Sequence, residues 1–286
     1  MHWTRVDQRW QARKDLQAGQ PLEQGVTFDL ESWVVPGEDP LLVRVCRRDK
    51  FPLSAYTNPR HLDPTSITLH ETCGYGNFAG MMGGSNPNAP TKVNAHFMIG
   101  RDGNAYLLVP IDRLSWHANA WSTHSVGIEI DNIGGLHEHG TDGKLYSEYG
   151  NTDWYCSKSD TNCYVEEPFQ GTKYWATWTD GQYDCVARLI KAICHKAQIP
   201  RYIQPLADLF QPLTRFPPAQ QRRFKGVMTH YQVNPNNRSD IGPYIDWARL
   251  IHSAGLTMGD CFNTPAYTDE ISGPAANSSP APSSAA

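Results

Sequence analysis

Apolar and polar positions alternate most clearly in the middle of the chain. Residues 66–70, SITLH, alternate with a period of two and predict a strand with one face buried. The run AHFMIGRDGNAYLLV (95–109) holds two apolar stretches around Asp102-Gly103, a dipeptide suited to a tight turn, and predicts a hairpin. SVGIEID (125–131) predicts a further strand, with Val126, Ile128 and Ile130 on one face and Gly127, Glu129 and Asp131 on the other. Beyond residue 180 the period changes. Tyr183, Val186, Ile190, Ile193 and Ala197 are spaced by three or four, the stripe of an amphipathic helix that Asp180 is placed to cap. GVMTH (226–230) predicts a last short strand, and Gly242-Pro243 opens a final helix in YIDWARLIHSAG. Strands interleaved with helices and a hairpin predict an α/β domain with a mixed central β-sheet flanked by helices.

The flanks carry weaker patterns. Residues 1–60 show no sustained period; GVTFDL and LLVRVC are strand candidates, punctuated by Pro36, Pro40 and Pro52. They are expected to form an N-terminal extension packed on a main domain spanning 61–265. Residues 135–178 read as a long irregular insertion, rich in Gly, Tyr, Trp, Asp and Thr. The tail 271–286, rich in Ser, Ala and Pro, is expected to be disordered.

Composition narrows the class. With 40% hydrophobic and 19% charged residues over 286 positions, the chain can bury a sizeable core, which excludes wholesale disorder. A net charge of −4 gives no reason to expect nucleic acid or an anionic membrane as partner. The first residues are charged throughout, and no stretch approaches the ~18 apolar residues of a membrane span. The expectation is therefore no membrane insertion and no unaided general secretion. Seven cysteines form no CxxC pair, which argues against a cysteine-rich zinc knuckle. Cys156 and Cys163 bracket a polar loop that a disulfide would close in an oxidising compartment, while Cys185 and Cys194 sit in the helical pattern as buried thiols.

Candidate chemistry lies at strand ends. His70 and His230 each end a strand-like run, and Asp240 follows His230 by ten residues in a loop long enough to fold its carboxylate back. Two imidazoles and a carboxylate form a known catalytic zinc set with one open position. Taken alone, the spacing is weak. Other motifs fail: His70-Glu71 begins like HExxH, but position 74 is Gly; GMMGGS (80–85) lacks the ending of a phosphate loop; His137-Glu138-His139 sits among glycines as a solvated loop. Water activated by a metal needs a base and the oxyanion needs a cation. Glu129, a carboxylate within an apolar strand, fits the first role, the bland alternative being a half-exposed strand with Glu129 in water. Arg238, two residues before Asp240, fits the second.

In this order the segments resemble the zinc-type N-acetylmuramoyl-L-alanine amidases, a group that includes bacterial wall-recycling amidases, phage amidases and animal peptidoglycan recognition proteins. The resemblance covers about residues 65–132 and 180–250. It implies Zn2+ held by His70, His230 and Asp240, Glu129 as the catalytic base and Arg238 as the oxyanion cation. From VNAHFMIGRDGNAYLLVP it implies His96 lining the cleft, and from LSWHAN it implies Trp116 and His117 near the substrate. The substrate implied is peptidoglycan or muropeptides, cut between the lactyl group of muramic acid and L-alanine. Departures are Arg238 where the family often has Lys, Ala95 where phage enzymes often have Tyr, and the 135–178 insertion. Two rival readings stay open: a non-catalytic peptidoglycan-binding module, and a zinc hydrolase of the same fold acting on another amide. The expected setting is a lytic enzyme at the cell wall, released by phage lysis or delivered by a secretion machine, with cytoplasmic recycling as the alternative.

Overall fold

The computed structural model describes residues 26–48, 57–74, 94–148 and 154–267. The 271–286 tail, the GMMGGS segment and the first 25 residues of the N-terminal extension lie outside the described residues. The chain folds around a mixed sheet built from β1 (Val26–Trp33), β2 (Leu41–Arg48), β4 (Ser66–Glu71), β5 (Phe97–Ile99), β6 (Ala105–Leu107), β8 (Ser125–Ile130), β14 (Tyr202–Ile203), β15 (Gly226–Thr229) and β16 (Thr257–Met258). Between these, β3 (Asn58–Pro59) and β7 (Arg113–Leu114) form a small separate pair. The sheet runs β1-β2-β6-β5-β8-β4-β15-β14-β16, with β5, β8, β4, β15, β14 and β16 mutually parallel. The β5–β6 hairpin turns at Asp102-Gly103, where Gly103 has φ +76°. A Cβ there would lie 2.7 Å from the Gly181 backbone, so this close approach between turn and helix requires glycine.

Alternation along the strands divides the sheet's two faces. Ile67 and Leu69 of β4 and Val126, Ile128 and Ile130 of β8 are fully buried in the main core, against helix α1 (Asp180–Ala197). Tyr183, Val186, Ile190 and Ile193 supply the helix's side of that core. The helix starts one residue earlier than the sequence suggested. Its N-cap is Thr179, whose side chain accepts from the Gln182 N–H while the Gln182 side chain accepts from the Thr179 N–H. A four-residue turn α2 (His230–Val233) follows β15, and α3 (Trp247–Ala254) packs beside α1, capped by Asp246 and ended by Gly255 in the left-handed region.

The strand candidates of the N-terminal extension fall on β1 and β2, while the 135–178 segment differs from its sequence reading. Within the N-terminal stretch, β1 and β2 pair antiparallel and β2 joins β6, so residues 26–48 extend the central sheet. The 135–178 segment, read as irregular, carries an antiparallel sheet of β9 (Gly135–Glu138), β10 (Lys144–Ser147), β11 (Trp154–Ser157), β12 (Tyr164–Phe169) and β13 (Thr172–Ala176), ordered β11-β10-β9-β13-β12. Register shifts at Leu145/Tyr146 and Glu166/Phe169 break the period of two, which hides these strands in the sequence. Leu136, Leu145, Tyr155 and Tyr174 form its own small core. Cys156 and Cys163 are both buried within it.

Candidate active site

The parallel register brings the chemistry-bearing residues together. His70 of β4 lies directly opposite Glu129 of β8, and Leu69 lies opposite Thr229 of β15, so His230 follows beside His70. A second capping box, Thr229 with Gln232, turns the chain from β15 into α2 and sets His230 at the first helical position. The loop after α2 returns through a backbone bond from Tyr231 N–H to the Asp240 carbonyl, 2.6 Å. Three elements thus deliver side chains to one point at the strands' C-terminal ends.

His70, His230 and Asp240 converge there, all buried, and form the one metal-competent cluster among the described residues. His70 Nδ1 lies 2.8 Å from His230 Nδ1 and 3.7 Å from Asp240 Oδ2, and His230 Nδ1 lies 3.1 Å from the same oxygen. A tetrahedral ion about 2.0–2.1 Å from each donor requires separations of roughly 3.3 Å, within the observed spread. Burial and the neighbouring His230 hold the His70 imidazole well below its ordinary pKa, so it stays neutral with a lone pair to offer. Two imidazole nitrogens and one carboxylate oxygen suit a divalent zinc-like ion.

These residues open onto a cleft of about 380 Å³ also lined by Glu129, Arg238, Asn94, Cys73, Trp116 and His117. Burial, then the Asp240 charge, push the Glu129 carboxyl up to about 8, while Arg238 pulls it back. Trp116 is exposed at the rim. A larger cavity, about 800 Å³, lies at the opposite ends of β4 and β15 near Thr65 and Lys225, and it lacks any such donor cluster.

Two of the expected substrate contacts read differently in three dimensions. His96 is fully buried and sits behind the cleft wall instead of lining it. Its backbone already pairs with Gly127 and Leu108, which holds the ring against β8. There its Nδ1 accepts from the Gly127 N–H (3.0 Å), and Nε2 faces the Arg113 carbonyl (3.0 Å) and the Arg60 guanidinium (2.8 Å). His117 does line the cleft, but both its nitrogens are taken, Nδ1 by His70 (3.0 Å) and Nε2 by Ser125. Burial lowers its pKa to about 3.

The sequence also hid Glu71, set aside with the failed HExxH motif. Its buried carboxylate accepts from Asn132 Nδ2 (2.9 Å), Trp178 Nε1 (2.6 Å) and Tyr244 OH (2.8 Å), while its own N–H donates to Asp240 Oδ2 (3.3 Å). Burial raises it to about 7, against the pull of those three donors. A strand pattern reports which residues are buried, but not that three distant donors meet one carboxylate.

The N-acetylmuramoyl-L-alanine amidase family model matches residues 60–243, more than half of the chain and all of this site. The chain belongs to that family. Among curated relatives, the 1,6-anhydro-N-acetylmuramyl-L-alanine amidase AmpD of Citrobacter freundii is 24% identical over 170 residues, covering 57% of each chain. The chain thus spans little more than half the length of that relative. The structure of a selenomethionine AmpD derivative is similar over 71% of this chain and 90% of its own, at 22% identity and a TM-score of 0.39. The Escherichia coli amidase AmiD, solved with the substrate anhydro-N-acetylmuramic acid-L-Ala-D-γ-Glu-L-Lys, is similar over 82% of this chain and 67% of its own, at 17% identity and a TM-score of 0.41. The amidase-family domain here has no helix among the described residues long and apolar enough to cross a membrane.

Proposed function

We propose that the protein is a zinc-dependent N-acetylmuramoyl-L-alanine amidase that hydrolyses the amide between the muramic-acid lactyl group and L-alanine of peptidoglycan or its muropeptides. The observation that carries this reading is the in-register meeting of His70, Glu129 and His230 with Asp240 at one cleft, inside the family-matched span. His70, His230 and Asp240 are the residues that would hold Zn2+. Bound there, zinc supplies a Lewis acid for the scissile carbonyl and makes water a stronger nucleophile.

The remaining roles belong to the chain. The Glu129 carboxylate accepts a proton from the attacking water and returns it to the departing nitrogen of L-alanine. Arg238, at the cleft, offers guanidinium N–H groups to the oxygen that gains charge. Trp116 presents an apolar ring at the rim for the sugar or stem peptide. Lytic action on the wall is the setting we favour, from the elements added to the amidase core.

Incubation with purified muropeptides and with intact sacculi, followed by mass spectrometry, tests the reading. Free stem peptide with intact glycan is expected, and its absence from both substrates with stoichiometric zinc bound rules the activity out. Glu129→Ala is expected to keep zinc and lose hydrolysis; near-normal turnover in that variant removes Glu129 from the base role. A peptidoglycan-binding module without catalysis would retain the muropeptides uncut.

A further inference from the structure

His117 stands between the metal-competent trio and the body of the sheet, and its hydrogen bonds define where each proton sits. Ser125 Oγ donates to the Trp121 carbonyl (2.9 Å), so toward His117 Nε2, 3.2 Å away, it is an acceptor. The Ser125 carbonyl, 3.4 Å from the same nitrogen, can only accept. Both neighbours therefore require a proton on Nε2, which leaves Nδ1 of a neutral His117 as a lone pair. That lone pair faces His70 Nε2 at 3.0 Å. His70 must then carry its proton on Nε2, and its Nδ1, the atom 2.8 Å from His230 Nδ1, is left as a lone pair turned toward the trio.

We propose that His117 is a positioning residue that fixes the tautomer and ring orientation of His70, so that His70 Nδ1 is presented as a metal donor. This rests on the reading that His70, His230 and Asp240 hold the metal. A ligating histidine commonly gives its second N–H to a carboxylate, carbonyl or water; here a neutral imidazole takes that place and adds no charge. With both nitrogens engaged, His117 has neither left for substrate.

The surroundings hold this ring in place. The N–H groups of His117 and Ala118 both donate to Ser122 Oγ (3.0 and 2.8 Å). Gly127 leaves the room: a Cβ there would lie 2.6 Å from His117 Cγ and 2.7 Å from Nδ1. Strand β8 therefore carries Ser125 to set the proton, Gly127 to admit the ring and Glu129 beside His70, at successive positions on one face.

The test uses the full chain stripped of metal and refilled with ZnCl2. Imidazole 15N spectra of the metal-free wild type are expected to show His117 and His70 both protonated on Nε2. A proton on His117 Nδ1 overturns the proposal without any mutation. In competition with a chromophoric chelator, His117→Ala is expected to weaken zinc binding about 10- to 100-fold. His117→Asn, whose amide oxygen can replace the Nδ1 lone pair, is expected to recover most of that loss. Unchanged zinc affinity in His117→Ala, with the His70 tautomer retained, overturns the proposal. If His70→Ala also binds zinc as tightly as wild type, the fault lies with the metal assignment itself.

Discussion

Glu129 carries the clearest pH signature of any single residue. Its ordinary pKa of 4.5 rises to about 8 in the folded, metal-free protein, because burial and the Asp240 charge disfavour the ionised form. The folded chain then holds a proton that the unfolded chain gives up above its lower pKa. Glu129's contribution to stability is therefore fully present below about pH 4.5 and is lost as pH rises through about 8. Glu129→Gln cannot ionise. In thermal melts of metal-free protein it should gain on wild type steadily between those two pH values, and a constant gap would contradict the raised pKa. At this scale the sequence was informative where a polar residue interrupts an apolar strand, as at His70 and Glu129. At His96 a family block locates a residue near the cleft without saying how deep its ring lies, and here the ring is fully buried.

Elements act on the site through Glu71. Its three donors come from the loop just after β8 (Asn132), from the close of the 135–178 insertion (Trp178) and from the stretch beyond Asp240 (Tyr244). Tyr244 is also stacked on Trp175 of β13, centroids 4.0 Å apart and planes 3° apart. The added sheet thus braces the segment that carries Asp240. Tyr244→Phe keeps the stack and removes one donor from a buried carboxylate, and should cost about 1–3 kcal/mol in urea unfolding. It should also loosen zinc binding, because Glu71's N–H touches Asp240; tight binding with lowered stability would confine Glu71 to a structural role. Helix starts follow a simpler rule. Thr179→Ala removes the N-cap of α1 and should cost about 1 kcal/mol in the same assay. The Thr-x-x-Gln pattern at 179–182 recurs at 229–232, a signal in plain sight that marks both helix entries. The bulged strands of the insertion offered no such signal.

Across the whole molecule the sheet is what makes the site. The α/β class and central strands were legible because β4 and β8 turn Ile67, Leu69, Val126, Ile128 and Ile130 into the main core at every second position. The order of strands was not, since adjacency in a sheet depends on contacts far apart in the chain. An ion held by His70, His230 and Asp240 would join β4 to β15 and the following loop, so chelation should lower the melting temperature of wild type and leave that of His70→Ala unmoved. A matching drop in both would place the stabilising ion elsewhere.

The position of β15 in the chain has a consequence for synthesis. It inserts between β4 and β14, yet His230 at its end follows His70 by 160 residues, and two of the three donors lie at residues 230 and 240. A nascent chain that ends before them offers one histidine and a carboxylate with no partner to work beside. The donor set is therefore complete only once residue 240 has joined the chain. A chain interrupted before residue 230 would carry His70 and Glu129 but could not close the donor set.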